Sequence, residues 1–155
     1  TPGAILWLTL FRDKIDDIME QVKCPVAVFV NRSYREGALV SFVLGGMIDV
    51  FLLSYLNIML QNGHSVRLFL FETDDEEFHQ CIDDLLAHYA DQIVVVWFAG
   101  VEELVTKEKD GLLVMSHLSY TKLSEDELVM RELSSLLVIR RNKNKGEKNE
   151  RLEIG

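Results

Sequence analysis

The stretch LVSFVLGGMID, residues 39–49, joins an apolar run to two glycines and then to a second apolar segment. A run of large and β-branched apolar residues is typical of a strand that is covered on both faces of its sheet. The second segment, Met47–Leu60, has only Asp49, Ser54 and Asn57 as clearly polar side chains, which favours a helix that is buried over most of its circumference. The sequence therefore predicts a strand, a glycine turn and a helix.

The same alternation continues on both sides of this unit. The expected strands are Val26–Val30, Ala38–Leu44, His64–Phe71, Ile93–Phe98, Gly111–Met115 and Leu136–Ile139. The expected helices are Phe11–Val22, Met47–Leu60, a short one at Val101–Lys107, and two with capping boxes that begin at Thr73 and Ser124. Alternating strands and helices form parallel sheets with right-handed crossovers. The predicted fold class is α/β, a three-layer α/β/α sandwich with a mostly parallel sheet.

Charge and hydropathy exclude several functional classes. The 155 residues carry a formal net charge of −9, whereas a nucleic-acid surface needs clustered Lys and Arg. Nucleic acid is therefore not an expected partner. No apolar run reaches the roughly 18 residues of a membrane span, and no signal peptide is recognisable. We expect a soluble, cytoplasmic piece, and the start at Thr1 rather than at Met favours a fragment of a longer protein.

A ligand site in such a fold lies beyond the carboxyl ends of the strands, where the strand order reverses. The loops expected at this edge are residues 44–47, 72–75, 98–101 and 116–121. Backbone N–H groups between a strand and a helix can hold an anion. The candidate ligand-binding residues are Gly45, Gly46, Met47 and Ser116. Because the glycine pair matches neither GxGxxG nor GxxxxGK[ST], a simple turn is the alternative.

Catalytic and metal chemistry is not indicated by the other polar residues. Each acidic cluster opens an expected helix, where carboxylates complement the helix dipole; the clusters are residues 74–77, 102–103 and 125–127. The histidines and cysteines lack the spacing of zinc sites. Ser41, Ser116 and Ser119 lie in no GxSxG elbow. We expect no enzyme, no metal and no cofactor.

The order and spacing of residues 38–140 resemble the universal stress protein fold. The matching segments are the strand and glycine turn at 38–46, the second strand at 63–68, GLLVMS at 111–116 against D-L-[IL]-V-M-G, and LLVIR at 136–140 against P-V-L-V-V-R. VKCPVAVFV, residues 22–30, resembles the closing strand of another such domain, C-P-V-L-V-V. The resemblance implies three parts: residues 1–31, the last helix and strand of a preceding half packed on the main domain; residues 37–140, the stress-protein-like domain; and residues 141–155, a flexible basic tail.

Tandem halves of this kind occur in the cytoplasmic C-terminal region of monovalent cation:proton antiporters of the second family. There C-S-V-[GA]-[IV]-L-V-D-R-G precedes V-x-[VL]-x-F-[FI]-G-G-x-D-D; here CPVAVFVNRS, residues 24–33, precedes VSFVLGGMID, residues 40–49. The resemblance implies a cytoplasmic regulatory domain of an inner-membrane Na⁺/H⁺ (cation/proton) antiporter. Its implied partners are the transmembrane part of the same chain, a second copy in a homodimer and an unidentified small-molecule effector. We expect self-association through Met47–Leu60 and the last strand.

A free-standing stress-protein-like binder of a nucleotide or another small ligand is the alternative. Members of that family that bind ATP carry an Asp at the end of the first strand and a glycine-rich loop after the fourth. This chain has Leu44-Gly45 at the first place and SHLSYT, residues 116–121, at the second. Since those glycines let the backbone approach the phosphates, ATP binding in that manner is not expected. An enzyme of the related adenine-nucleotide hydrolase-like superfold is a third alternative, against which the missing catalytic set counts.

Overall fold

The computed structural model describes residues 6–9, 15, 19–20 and 23–141. The strands are β1 Leu6–Thr9, β2 Val26–Val30, β3 Val40–Leu44, β4 Val66–Phe71, β5 Ile93–Phe98, β6 Leu112–Ser116 and β7 Ser135–Arg140. The α-helices given in full are α1 Leu53–Gln61, α2 Glu76–Tyr89, α3 His117–Leu123 and α4 Glu127–Glu132. Short 3₁₀ helices cover Met47–Leu52, Ala90–Gln92 and Val101–Leu104. Ile15, Met19 and Glu20 are also helical.

The described strands form one sheet in the order β1-β2-β7-β6-β3-β4-β5. Neighbouring strands from β7 to β5 are parallel, and β1 is parallel to β2. The exception is the pair β2 and β7, which is antiparallel with Val28 opposite Val138. The chain leaves β3 toward β4 on one side and later returns to place β6 on the other, so the strand order reverses between β3 and β6. The predicted α/β fold with a mostly parallel sheet is confirmed.

Helices pack against both faces of this sheet. Successive residues of a strand point to opposite faces, and on β3 Val43 joins one buried cluster while Phe42 and Leu44 join another. The first cluster includes Ile15, Met19, Tyr120, Leu123 and Met130 from helices. The second includes Leu52, Leu56, Leu60, Phe78 and Ile82. This arrangement is compatible with the expected three-layer sandwich.

Two predicted helix starts are wrong by two residues. Helix α2 is capped by Asp75, whose carboxylate accepts from the N–H groups of Glu77 and Phe78, whereas the Thr73 hydroxyl accepts from the Asp75 N–H outside the helix. Helix α4 is capped in the same way by Asp126. An N-cap needs an extended backbone, and Ser124 is already the helical residue that ends α3.

Other differences concern short elements. Residues 116–121, predicted as a loop, contain most of α3, and β1 is a strand that the sequence pattern does not predict. The helix expected at Phe11–Val22 is described only at residues 15, 19 and 20, and nearly all of the basic tail lies outside the described residues.

Arginine side chains attach the segment around β2 to the rest of the fold. The Arg32 guanidinium donates to the carbonyl oxygens of Met130 and Leu133. The Arg140 guanidinium donates to those of Met19 and Cys24. These bonds and the β2-β7 pairing hold Met19, Cys24, β2 and Arg32 against the rest of the fold, while their assignment to a preceding half stays a prediction.

Candidate ligand-binding site

A pocket of about 150 Å³ opens at the carboxyl ends of β3, β4, β5 and β6. Its lining includes the last or next-to-last residues of three strands, Phe71, Phe98 and Met115, and Gly45 directly after β3. The pocket therefore lies at the edge of the sheet, and at the reversal of strand order, where ligands bind in open α/β folds.

Asp49 is the buried acidic residue of this pocket, with 1% of its surface exposed. Its Oδ2 accepts hydrogen bonds from the Gly45 N–H at 2.6 Å and from the Ser119 hydroxyl at 2.8 Å. Its Oδ1 is buried and has no hydrogen-bond partner among the described residues. A buried carboxylate is costly unless it is fully hydrogen-bonded, so Oδ1 is an unsatisfied acceptor on a residue that lines the pocket.

Local structure brings these groups together. Asp49 lies in the 3₁₀ helix that follows the glycine turn, and its own N–H donates to the Gly46 carbonyl at 3.0 Å. Ser119 lies in the first turn of α3, where its N–H donates to the Ser116 side chain at 3.1 Å. The bond between Asp49 and Ser119 thus connects the turn after β3 to the helix after β6.

The two glycines of the turn have different functions. Gly46 has φ +150°, a conformation that residues with a Cβ rarely adopt. A Cβ on Gly45 would lie 3.2 Å from Asp49 Oδ2 and 3.4 Å from Ser119 Oγ. Gly46 therefore permits the turn, and Gly45 permits the close approach of the carboxylate.

The mouth of the pocket is apolar. Ile48, Phe71 and Leu118 line it and are exposed, although large apolar side chains in a monomeric domain are mostly buried. The Phe71 and Phe98 rings meet edge to face with centroids 5.6 Å apart. Lys122 is the basic residue of the lining and is exposed. Clustered apolar residues around a concave site are typical of ligand binding.

The structure places the four predicted site residues close to this pocket but not all in its lining. Gly45 lines the pocket. Gly46 sets the turn, Met47 packs against the second buried cluster, and Ser116 is buried and caps α3. Sequence reasoning missed the binding groups themselves, since it treated Asp49 only as a polar residue of a helix. The signal in the sequence is that Asp49 is the first of only three polar residues in that apolar segment.

One N–H group of the glycine turn is already used by a carboxylate of the chain itself. The Gly45 N–H, which would have to donate to an anion, already donates to the Asp49 carboxylate. A phosphate at this place would also face a negative charge at short range. The alternative of a simple turn agrees better with this geometry.

Carboxylates elsewhere cap helices, as predicted for the acidic clusters. Glu103 accepts from the Ala99 and Gly100 N–H groups at 2.8 and 2.9 Å. The bond from Gly100, and to a smaller extent the bond from Ala99, lowers the pKa of the Glu103 carboxyl. Asp75 and Asp126 cap α2 and α4. In the described part of the chain, no three His, Cys, Asp or Glu side chains lie together as a metal site would require.

Among the described residues, no helix is both long and apolar enough to cross a membrane. A comparison with protein-family models finds no match for the chain, and none of the curated proteins compared with it matches significantly.

Proposed function

We propose that this chain is a stress-protein-like regulatory domain of a membrane Na⁺/H⁺ (cation/proton) antiporter, and that it acts through a small molecule bound in the pocket of Asp49. The antiporter context rests on the resemblance of residues 24–33 and 40–49. The observation that carries ligand binding is the buried Asp49 carboxylate, with one unpartnered oxygen, in a pocket where the strand order reverses. The domain lies on the cytoplasmic side of the cell membrane, and the transmembrane part of the same chain is its partner.

The pocket favours binding over catalysis. Asp49 Oδ2 is already used by the Gly45 N–H and the Ser119 hydroxyl. A serine becomes a nucleophile when a base takes its proton, usually a His that a third group orients. No His belongs to this lining, and apart from Lys122 the other lining residues carry no charge. These contacts support ligand binding, and with it the proposed regulatory function, over catalysis in this pocket.

Regulation requires that the ligand prefer one of two arrangements of the domain. The pocket lies between the turn after β3 and helix α3, and Asp49 and Ser119 connect the two. A ligand that binds Asp49 changes how tightly this turn is held against α3. That contact is the element through which we expect binding to bias transport.

Transport by the full-length antiporter tests the proposal. Asp49→Asn is compared with wild type and with Asp83→Asn, which removes an equal charge from the exposed surface of α2. We expect Asp49→Asn alone to change the half-saturating cation concentration for proton exchange in everted vesicles at least threefold, at equal protein level. Identical exchange curves for all three proteins would contradict a regulatory function of this pocket.

The same pocket also fits the second candidate, a free-standing small-ligand binding protein. The coding sequence upstream of Thr1 distinguishes the two. An antiporter requires several hydrophobic spans there, each of about 20 residues. A start codon close to Thr1 would leave the free-standing protein.

A further inference from the structure

We propose that the ligand is a small amphipathic amine, whose N–H donor binds Asp49 and whose compact apolar body fills the pocket. This inference rests on the proposed ligand-binding function and specifies its ligand class.

One acceptor of Asp49 remains without a partner among the described residues. Oδ2 is engaged twice, whereas Oδ1 is buried and unpartnered within the described part of the chain. A carboxylate oxygen can only accept. The group that completes this site must therefore be a donor, and an ammonium group supplies both the hydrogen bond and the opposite charge.

An anionic ligand is disfavoured beside Asp49. The Gly45 N–H and the Ser119 hydroxyl, two donors at this turn, both donate to the Asp49 carboxylate. A phosphate or carboxylate ligand would have to displace that carboxylate or lie beside it. Like charges at short range in a poorly solvated site repel strongly.

The size and polarity of the pocket suit a compact apolar body. A cavity of about 150 Å³ is comparable to an engineered apolar cavity that binds benzene. Phe71, Phe98, Ile48 and Leu118 offer apolar surface to a body of that size.

Calorimetric titration of the 155-residue chain with matched probes tests the inference. The probes are benzylamine, benzyl alcohol as its neutral analogue, benzoate as its anionic analogue, inorganic phosphate and AMP. We expect benzylamine to bind at least tenfold more tightly than benzyl alcohol, and the three anions not to bind.

Three variants separate the contributions of the head group and the body. In Asp49→Asn the amide oxygen can still accept the bonds from Gly45 and Ser119, while the amide NH₂ takes the place of Oδ1. Because an NH₂ group cannot accept from an ammonium group, benzylamine should bind at least tenfold more weakly. Phe71→Ala should weaken benzylamine and benzyl alcohol by the same factor. The control Asp83→Asn should leave both affinities unchanged, and a urea midpoint for each variant verifies that it is folded.

Each outcome distinguishes the inference from the proposed function. Equal affinity for benzylamine and benzyl alcohol, or an Asp49→Asn protein that binds benzylamine as wild type does, overturns the amine. Binding of AMP or phosphate that is sensitive to Asp49→Asn also overturns the amine but retains a ligand-binding pocket. If no probe binds and the Asp49→Asn antiporter transports normally, both the inference and the proposed function fail.

Discussion

The Gly45 N–H donates a hydrogen bond of 2.6 Å to Asp49 Oδ2, four residues further along the chain. Through this bond the Asp49 carboxylate stabilises the turn between β3 and the following helix. The Ser119 hydroxyl donates to the same oxygen at 2.8 Å, so the closed turn is also attached to α3. The glycine pair thus positions a carboxylate in the pocket, and the Gly45 N–H is not free to bind a phosphate.

Gly46→Ala should destabilise the protein through backbone strain. At φ +150° and ψ −164°, Gly46 occupies a region that is essentially restricted to glycine, which costs other residues about 1–3 kcal/mol. We expect the free energy of unfolding in urea to fall by about that amount.

Gly63→Ala is the matched control, because it also adds a methyl group to a glycine with positive φ. Gly63 follows α1 at φ +85° and does not belong to the glycine turn. There the left-handed conformation costs an L-residue about 1–2 kcal/mol. A Gly46→Ala protein as stable as wild type would contradict the turn geometry described for Gly46.

Val28→Ala should show that the antiparallel pair β2 and β7 is part of the core. Val28 is fully buried opposite Val138. Loss of two buried methyl groups costs about 1.5–2 kcal/mol, plus a contribution from the remaining cavity. Val94→Ala on β5 removes the same atoms from a side chain that is 64% exposed, so its effect should stay within about 0.5 kcal/mol. Equal urea midpoints for the two variants would mean that β2 is not packed on β7 in solution.

Periodicity predicted the type of most elements because each apolar run directly reflects burial on one or both faces. The run Ile93–Phe98, for example, is β5 with the predicted bounds. Pattern alone does not determine pairing direction, so β2 and Leu136–Ile139 were both expected as strands without any sign that they are antiparallel neighbours. Helix α3 was not predicted, because its seven residues are too few for a clear helical period.

The binding groups were harder to predict than the strands. Asp49 and Ser119 are 70 residues apart in sequence and meet only because β3 and β6 are adjacent in the sheet. No short motif can encode such a pair. The edge of the sheet, in contrast, follows from the fold class, and for that reason the predicted residue Gly45 lies in the pocket lining and Ser116 lies close to it.

Ile58→Lys tests the homodimer that the sequence predicts. Self-association was expected through Met47–Leu60 and the last strand, but β7 is paired on both edges, with β2 and β6. In Met47–Leu60 the exposed large apolar residues are Ile48, which lines the pocket, and Ile58 on α1, which is 57% exposed and does not line it, so Ile58 is the residue chosen for the test. We expect a dimer mass for wild type by light scattering and a monomer mass for Ile58→Lys, because a charge at the centre of an apolar interface is strongly unfavourable. An unchanged dimer would move the interface away from α1.

Glu103→Gln should make stability less dependent on pH in the acidic range. The N–H groups of Gly100 and Ala99 stabilise the ionised carboxylate and hold its pKa below 4.5 in the folded protein. A group whose pKa is depressed on folding stabilises the protein above its unfolded pKa, and this stabilisation is lost as the pH falls through its folded pKa. The urea midpoint of wild type should therefore fall more steeply below pH 4.5 than the midpoint of Glu103→Gln. The control is Glu102→Gln, which removes an equal charge without those two bonds, and its midpoint should follow that of wild type. Parallel curves for wild type and Glu103→Gln would show that the two bonds to Glu103 are not formed in solution.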